Sequence, residues 1–308
     1  MPDPSPENLA LVIPTLDAGR HVDRMVTALK AQTLRPSRFL VIDSGSSDDT
    51  VARFGDAGAR IHAIPPSEFD HGGTRQLAVD MLPDAEFVIF LTQDAVPAHP
   101  EAFANLVRAF EDDRVGVAYG RQLPAPGANP LATHARLFNY PDESHVRSLS
   151  DARRYGVKTV FCSNSFAAYR RAALMEAGGF RSRLILSEDS VAAAAILAAG
   201  WNLHYVADAR VYHSHDYTLT QEFRRYFDIG VLHATADGLV ERFGKPEGEG
   251  RRFVVSELAY LLRKGPAFIP LALVRTVSKY VAYRLGHIER HLPQGLKRRL
   301  GMNSRYWD

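Results

Sequence analysis

Cysteine is nearly missing from this 308-residue chain: Cys162 stands alone. A lone thiol excludes an intramolecular disulfide framework and fits a reducing, cytoplasmic setting. No run of about 18 apolar residues occurs, so no transmembrane helix is expected. The nearest approach, Ala267 to Val274, is short and bracketed by Lys264 and Arg275. The opening Met1-Pro2-Asp3-Pro4-Ser5-Pro6 has neither a basic nor an apolar region and does not read as a signal peptide. No G-x-G-x-x-G follows the first apolar run and no G-x-x-x-x-G-K-[ST] occurs, which removes the main support for dinucleotide-oxidoreductase and P-loop readings. Strong net charge is absent too: +2 is too small for a general nucleic-acid binder. There is no internal repeat and no low-complexity tract.

What charge there is lies unevenly. From Arg251 to Asp308 twelve Lys/Arg face only Glu257, Glu289 and Asp308, a local balance of +9 that leaves the rest of the chain at −7. A chain of this length accommodates one large domain or two modest ones. The α/β pattern gives way to helices near residue 216, so the expected division is residues 1–215, an α/β domain, and 216–308, a basic helical region.

Three apolar runs end abruptly in polar residues. Leu9-Ala10-Leu11-Val12-Ile13 meets Pro14-Thr15. Phe39-Leu40-Val41-Ile42 meets Asp43-Ser44-Gly45-Ser46. Phe87-Val88-Ile89-Phe90-Leu91 meets Thr92-Gln93-Asp94. Helical segments separate them, so they read as strands of a mostly parallel sheet with its polar edge on one side. In open α/β sheets that edge holds the ligand site. A helix is expected over Thr74–Met81 after a loop at 65–73, and another after the cap cluster Ser46-Ser47-Asp48-Asp49. Further on, strand is expected over Thr159–Tyr169, at Leu203–Val206 and at Arg210–Tyr212. Gln122–Asn139, rich in Pro, Gly and Ala, reads as a mobile loop. Helices are expected over Leu219–Glu241, Phe253–Arg263 and about Ile269–Arg290.

Five groups can carry chemistry. Asp43 either accepts hydrogen bonds from a ligand or caps its own turn. Asp94 either binds a hard divalent cation or caps a strand end. Glu188-Asp189 open an alanine-rich helix, where acids suit the dipole with or without a general-base role; the helix N-terminus is expected to favour their charged form. His213-Ser214-His215 points two imidazoles to one side of a strand, as a metal or phosphate site or as a half-exposed surface. His71-Gly72-Gly73-Thr74-Arg75 combines close-approach glycines, a helix N-terminus and an Arg fork, each suited to an anion.

In this order these residues resemble the family 2 glycosyltransferases of GT-A fold, over about residues 9–215. Val12-Ile13-Pro14-Thr15 is similar to the family's opening strand and turn, and Val41-Ile42-Asp43-Ser44-Gly45-Ser46-Ser47-Asp48-Asp49-Thr50 to its nucleotide-binding turn. Thr92-Gln93-Asp94 stands where the metal-binding D-x-D lies, with Thr92 replacing the first aspartate. Ser187-Glu188-Asp189 stands where the catalytic acid pair lies. Phe69 to Arg75, Gln93-Asp94-Ala95 and Tyr212 to His215 look most like bacterial polysaccharide rhamnosyltransferases, which use dTDP-L-rhamnose.

The resemblance implies inverting transfer onto a glycan or lipid-linked glycan. Asp43 would read the nucleobase, with Pro14 and Thr15 walling the same pocket, Arg75 near the base or phosphates, and Ser44 and Gln93 also binding the nucleotide-sugar. Asp94, with His213 or His215, would hold Mg²⁺ or Mn²⁺. Asp189 would be the base, with Glu188 the alternative, and Asn164 and Trp201 would shape the acceptor side. Rival readings are a UDP- or GDP-sugar donor and a non-catalytic GT-A binding or assembly domain. The C-terminal mixture of Leu, Val, Tyr, Arg and Lys suits either an anionic membrane surface at the inner face of the cell membrane or packing on the catalytic domain or a second subunit in a homo-oligomer.

Overall fold

The computed structural model describes residues 4–235, 243 and 248–307. Strand β1 (Leu9–Thr15) leads through α1 (Gly19–Lys30) to β2 (Arg38–Asp43), then α2 (Thr50–Asp56), β3 (Arg60–Ala63), α3 (His71–Asp80) and β4 (Phe87–Leu91). These four strands pair in parallel in the order β3-β2-β1-β4. Their side chains alternate between two cores. Ala10, Val12, Leu40, Ile42, Val88 and Phe90 enter one. Leu9, Leu11, Ile13, Val41, Phe87, Ile89 and Leu91 enter the other. A strand buried on both faces reads as a continuous apolar run, which is why these segments lack a polar alternation.

The second half of the sheet is mixed. After β5 (Val96–Pro97) and α4 (Ala102–Val107) come β6 (Val115–Leu123), α5 (Pro130–Asn139), β7 (His145–Arg147), α6 (Ala152–Tyr155) and β8 (Phe166–Arg170). β8 inserts antiparallel between β4 and β6. Helices α7 (Arg171–Glu176) and α8 (Glu188–Ala198) precede β9 (Asn202–Tyr212), which lies parallel to β6. The ends of β1, β2, β4, β6 and β9 therefore converge on one edge, and that convergence positions the site.

Local chemistry explains several departures from the sequence reading. Gln122–Asn139 is the end of β6 followed by a helix, because Asn129 caps Ala132 and Pro130 occupies the first turn. Strand in the 159–169 segment is confined to β8; the residues before it form 3₁₀ turns and a loop. The two expected strands after Trp201 are one, with an irregularity against β6 at Gly120/Arg121. Helix α3 begins at His71, capped by Asp70. The glycines of its first turn receive protein rather than ligand: a Cβ on Gly72 would overlap the Arg181 carbonyl oxygen. In the 46–49 cluster it is Asp48, not the N-cap Asp49, that accepts from the Thr50 amide; Asp49 pairs with Arg53.

Among the described residues, three long or medium helices close the chain. They are α9 (Leu219–Thr235), α10 (Glu249–Lys264) and α11 (Ile269–His287), followed by the short α12 (Gln294–Leu300). The expected helix over Leu219–Glu241 is described to Thr235, and 236–241 lies outside the described residues. α9 and α11 cross at Gly230 and Gly286, where a Cβ on either would overlap the partner helix's backbone carbonyl. Their shared core reaches Ile185 and Leu186, just before the acid pair. No helix among the described residues is long and apolar enough to cross a membrane.

Candidate active site

A cavity of about 680 Å³ opens along the converging strand ends. On one wall stand Pro14 and Thr15 of β1 and Ser44 after β2. Asp43 lies just behind them, buried. Its Oδ1 accepts from Thr15 Oγ1 (3.1 Å) and Ser46 Oγ (2.5 Å), and its Oδ2 from the amides of Gly45 (3.0 Å) and Ser46 (2.9 Å). The carboxylate thus organises the turn that presents Ser44, and it is not itself among the lining residues. Gln93 ties β4's end to β1's by bonding both the amide and the carbonyl of Leu16 (2.8 and 3.0 Å).

Opposite lies the acid pair at the start of α8. Ser187, its N-cap, adopts the left-handed conformation (φ 61°, ψ 35°), a strained choice for a non-glycine residue. Glu188 is buried. Its Oε1 accepts from Arg75 Nη1 (3.1 Å) and Asn164 Nδ2 (3.1 Å). Burial is the largest single effect and works against its charge, but Arg75, His71 and Asn164 together outweigh it, so the carboxyl is held below its ordinary range. Asp189 accepts from the amides of Asn164 (3.0 Å) and Ser190 (2.7 Å). Here burial, reinforced by the charge of Glu188, prevails and pushes the carboxyl up to about 7. The helix N-terminus was expected to favour the charged form of both acids. At Asp189 desolvation is the stronger effect. Asn164, whose Oδ1 accepts from Tyr169 (2.8 Å), braces both acids at once.

Between these walls Asp94 meets His213 and His215. Nε2 of His213 is 3.5 Å from Asp94 Oδ1, and Nδ1 of His215 is 3.8 Å from Oδ2. One ligand atom from each of the three lies within 4.8 Å of the others. The tautomer of His213 is fixed from behind. Gln122 Oε1 accepts from Arg136 Nη1 (2.6 Å), a group that only donates, so the His213 Nδ1 at 2.8 Å from that oxygen must carry a hydrogen. Nε2 then faces a carboxylate and requires a proton or a cation between them. Burial lowers the pKa of both rings, that of His215 to about 4, and so works against the proton. A divalent cation fits this donor set, with neutral imidazole and carboxylate as ligands. With Thr92 in the place of a first aspartate, the two histidines that follow β9 supply the other donor atoms of this set.

Geometry of this kind has relatives. The model described as glycosyltransferase-like family 2 matches residues 6–227. The chain belongs to that family. It is 46% identical to the O-antigen chain rhamnosyltransferase RfbN of Salmonella typhimurium, over 97% of this chain and 96% of that protein. It is 44% identical to the O-antigen chain rhamnosyltransferase WbaN of Salmonella anatum, over 98% and 96%. Among solved structures, the mannosyltransferase of Pyrobaculum calidifontis in complex with GDP-Man and Mn²⁺ shares the fold, with a TM-score of 0.63 at 16% identity, covering 94% of this chain and 90% of that one. The fold is of GT-A type.

Within this glycosyltransferase, eleven of the residues singled out from sequence line one cavity: Pro14, Thr15, Ser44, Arg75, Gln93, Asp94, Asn164, Glu188, Asp189, His213 and His215. Trp201 does not. It follows the far end of α8, which at about 1.5 Å per residue lies roughly 16 Å from the acids. There its indole donates to Glu176 (2.9 Å) and packs on the core, so it does not shape the acceptor side. Sequence reading missed Gln122 and Arg136, hidden in a segment taken as loop. It also missed Arg225, unremarked inside an expected helix, and Arg305, which counted only as part of a basic tail, yet both line the cavity. Their signal was weak because helices distant in sequence deliver them.

Proposed function

We propose that this glycosyltransferase moves L-rhamnose, with inversion, from dTDP-L-rhamnose to a hydroxyl of a glycan or lipid-linked glycan in bacterial cell-surface polysaccharide synthesis. The observation that carries the chemistry is the placing of an acid of raised proton affinity, Asp189, in the same cavity as the Asp94–His213–His215 group. The near-full-length similarity to two O-antigen chain rhamnosyltransferases supports the sugar.

Asp189 takes the proton from the acceptor hydroxyl as that oxygen bonds to the anomeric carbon and the bond to the nucleoside diphosphate breaks. General-base help of this type is worth on the order of 10²–10⁴ in rate. Asp189 is favoured over Glu188 because Glu188 is committed to Arg75. Glu188, kept charged, raises the proton affinity of its neighbour, and the Asn164 amide orients the accepting carboxylate. Thr15 and Ser44 receive the nucleotide on the turn that Asp43 organises. Asp94, His213 and His215 would hold Mg²⁺ or Mn²⁺; when bound, that ion stabilises the negative charge of the departing diphosphate.

The membrane reading also gains support. Leu273, Val274, Val277, Tyr280, Val281 and Ile288 form one exposed stripe at helical spacing along and just past α11. The exposed Arg263 and Lys264 end α10, Arg284 lies on α11 and Arg290 just past it. A second copy would set like charges together, whereas an anionic bilayer complements them. Seating at the inner face of the cell membrane would bring a lipid-linked acceptor to the enzyme.

The test is thermal stabilisation by nucleotides and nucleotide-sugars with and without Mn²⁺. A ligand at 100 times its Kd adds about 2.7 kcal/mol. Selective, metal-enhanced stabilisation by dTDP and dTDP-L-rhamnose, with the metal enhancement lost in Asp94→Asn, is expected. A preference for UDP or GDP discards rhamnose, and no response to any nucleotide discards the donor site.

A further inference from the structure

The last residues of the chain form a strap between the two walls of the cavity. On α9, Asp228 is buried, and its Oδ2 accepts from the amides of Met302 and Asn303, both at 3.0 Å. Asn303 Nδ2 in turn donates to the carbonyl of Ile185 (3.2 Å), three residues before Glu188. Beyond it, Tyr306 and Trp307 pack beside Phe227 and Leu300, and Gln294 donates to the Trp307 carbonyl. The strap is thus tied down on both sides of Arg305.

Arg305 reaches away from those anchors. It donates from Nη1 to the carbonyl of Pro66 (2.6 Å) and lines the cavity together with Ser44 and Phe69. Pro66 sits against Gly45, in the turn that Asp43 organises. Arg305 is exposed, and among the described residues it makes no ion pair with a carboxylate. A guanidinium offers five donors, of which a carbonyl satisfies one. Arg305 lines the same cavity as Ser44 of the nucleotide turn and the acid pair, and an arginine fork suits phosphate oxygens and stacks on flat rings.

We propose that Arg305 is a nucleoside-diphosphate-binding residue, delivered to the donor site by the C-terminal strap that Asp228 and Asn303 anchor. This rests on the reading of the cavity as a nucleotide-sugar site. It goes beyond that reading because it assigns donor binding to a segment outside the α/β core and to a residue that no strand or helix of that core carries. The strap also links donor binding to the loop before Glu188 through Asn303 and Ile185.

The experiment is calorimetric titration of the full chain with dTDP, UDP and GDP in the presence of Mn²⁺. Arg305→Ala is expected to weaken the best-bound nucleotide at least tenfold, with Arg305→Lys between it and the wild type. Asn303→Ala, which cuts the tie to Ile185 and keeps the guanidinium, is expected to weaken binding in the same direction. Arg299→Ala, an exposed neighbour, controls for general charge and should leave affinity within twofold. Wild-type affinity in Arg305→Ala, or equal weakening in Arg299→Ala, overturns the strap assignment while leaving the donor site intact. Failure of the wild type to bind any of the three nucleotides overturns the functional reading and the strap assignment with it.

Discussion

Replacing Arg75 with Met tests the electrostatic core of the site. Arg75 and Glu188 form a buried pair with side chains 5% and 7% exposed, so solvent screens them little. Met keeps much of the stem's volume and removes the charge. Breaking a buried pair by removing one partner costs about 3–5 kcal/mol, because the other charge is left uncompensated. At about 2 °C per kcal/mol for a chain this long, the melting temperature should fall by roughly 6–10 °C at pH 8. In the wild type the folded pKa of Glu188 is depressed, so the pair stabilises the fold above the unfolded value of 4.5, and that stability is lost as pH falls through the folded pKa. In the variant burial, the largest effect, is opposed only by the weaker contributions of His71 and Asn164 and raises the folded pKa, so Glu188 takes up a proton and the penalty shrinks toward acid. The variant's deficit should therefore be clearly smaller at pH 5 than at pH 8. Adding Glu188→Gln should recover part of the loss, with a coupling of roughly 1–3 kcal/mol between the two sites. Thermal melts of the four proteins at both pH values decide the matter. A deficit independent of pH, or a double variant whose losses simply add, would refute the reasoning.

Two further outcomes follow from the same geometry. With Asp189 pushed up to about 7, kcat should climb as pH rises through that value, and Asp189→Asn should lower kcat by on the order of 10²–10⁴ while nucleotide affinity stays within twofold. Because the folded pKa of Asp189 exceeds the unfolded value of 3.8, its contribution to stability is lost as pH rises from about 4 to 7, and the Asn variant should flatten that slope; an unchanged pH–rate profile in the variant counts against Asp189. For the membrane face, the full chain should float with anionic vesicles at low salt and less at high salt, whereas Val274→Asp, Val277→Asp and Val281→Asp together should stay in solution; equal partitioning of the two proteins removes the membrane assignment.

Much of the α/β half was legible in the sequence because its physics is local. Runs such as Phe87 to Leu91 are apolar on both faces only if buried between two layers, and each ends in the polar residue that the sheet edge exposes. Asp94, the acid pair and the His-x-His could be singled out because such groups stand out against apolar neighbours. Sequence alone did not separate Glu188 from Asp189. That separation depends on Arg75, more than a hundred residues away, reaching one carboxylate and not the other. Nor did it reveal that Gln122 and Arg136 fix the tautomer of His213, since a helix capped by Asn129 had first to bring Arg136 under β6. Trp201 misled because adjacency to an active helix in sequence says nothing about which end of that helix faces the ligand. The basic tail is the fullest case. Its composition announced charge, but only packing divided it: Arg275 and Lys279 pair with Glu222, Arg305 enters the cavity, and α11 turns an apolar stripe outward. Composition records which groups are present. Desolvation and pairing, which set what each group does, depend on distances that exist only after the chain has folded.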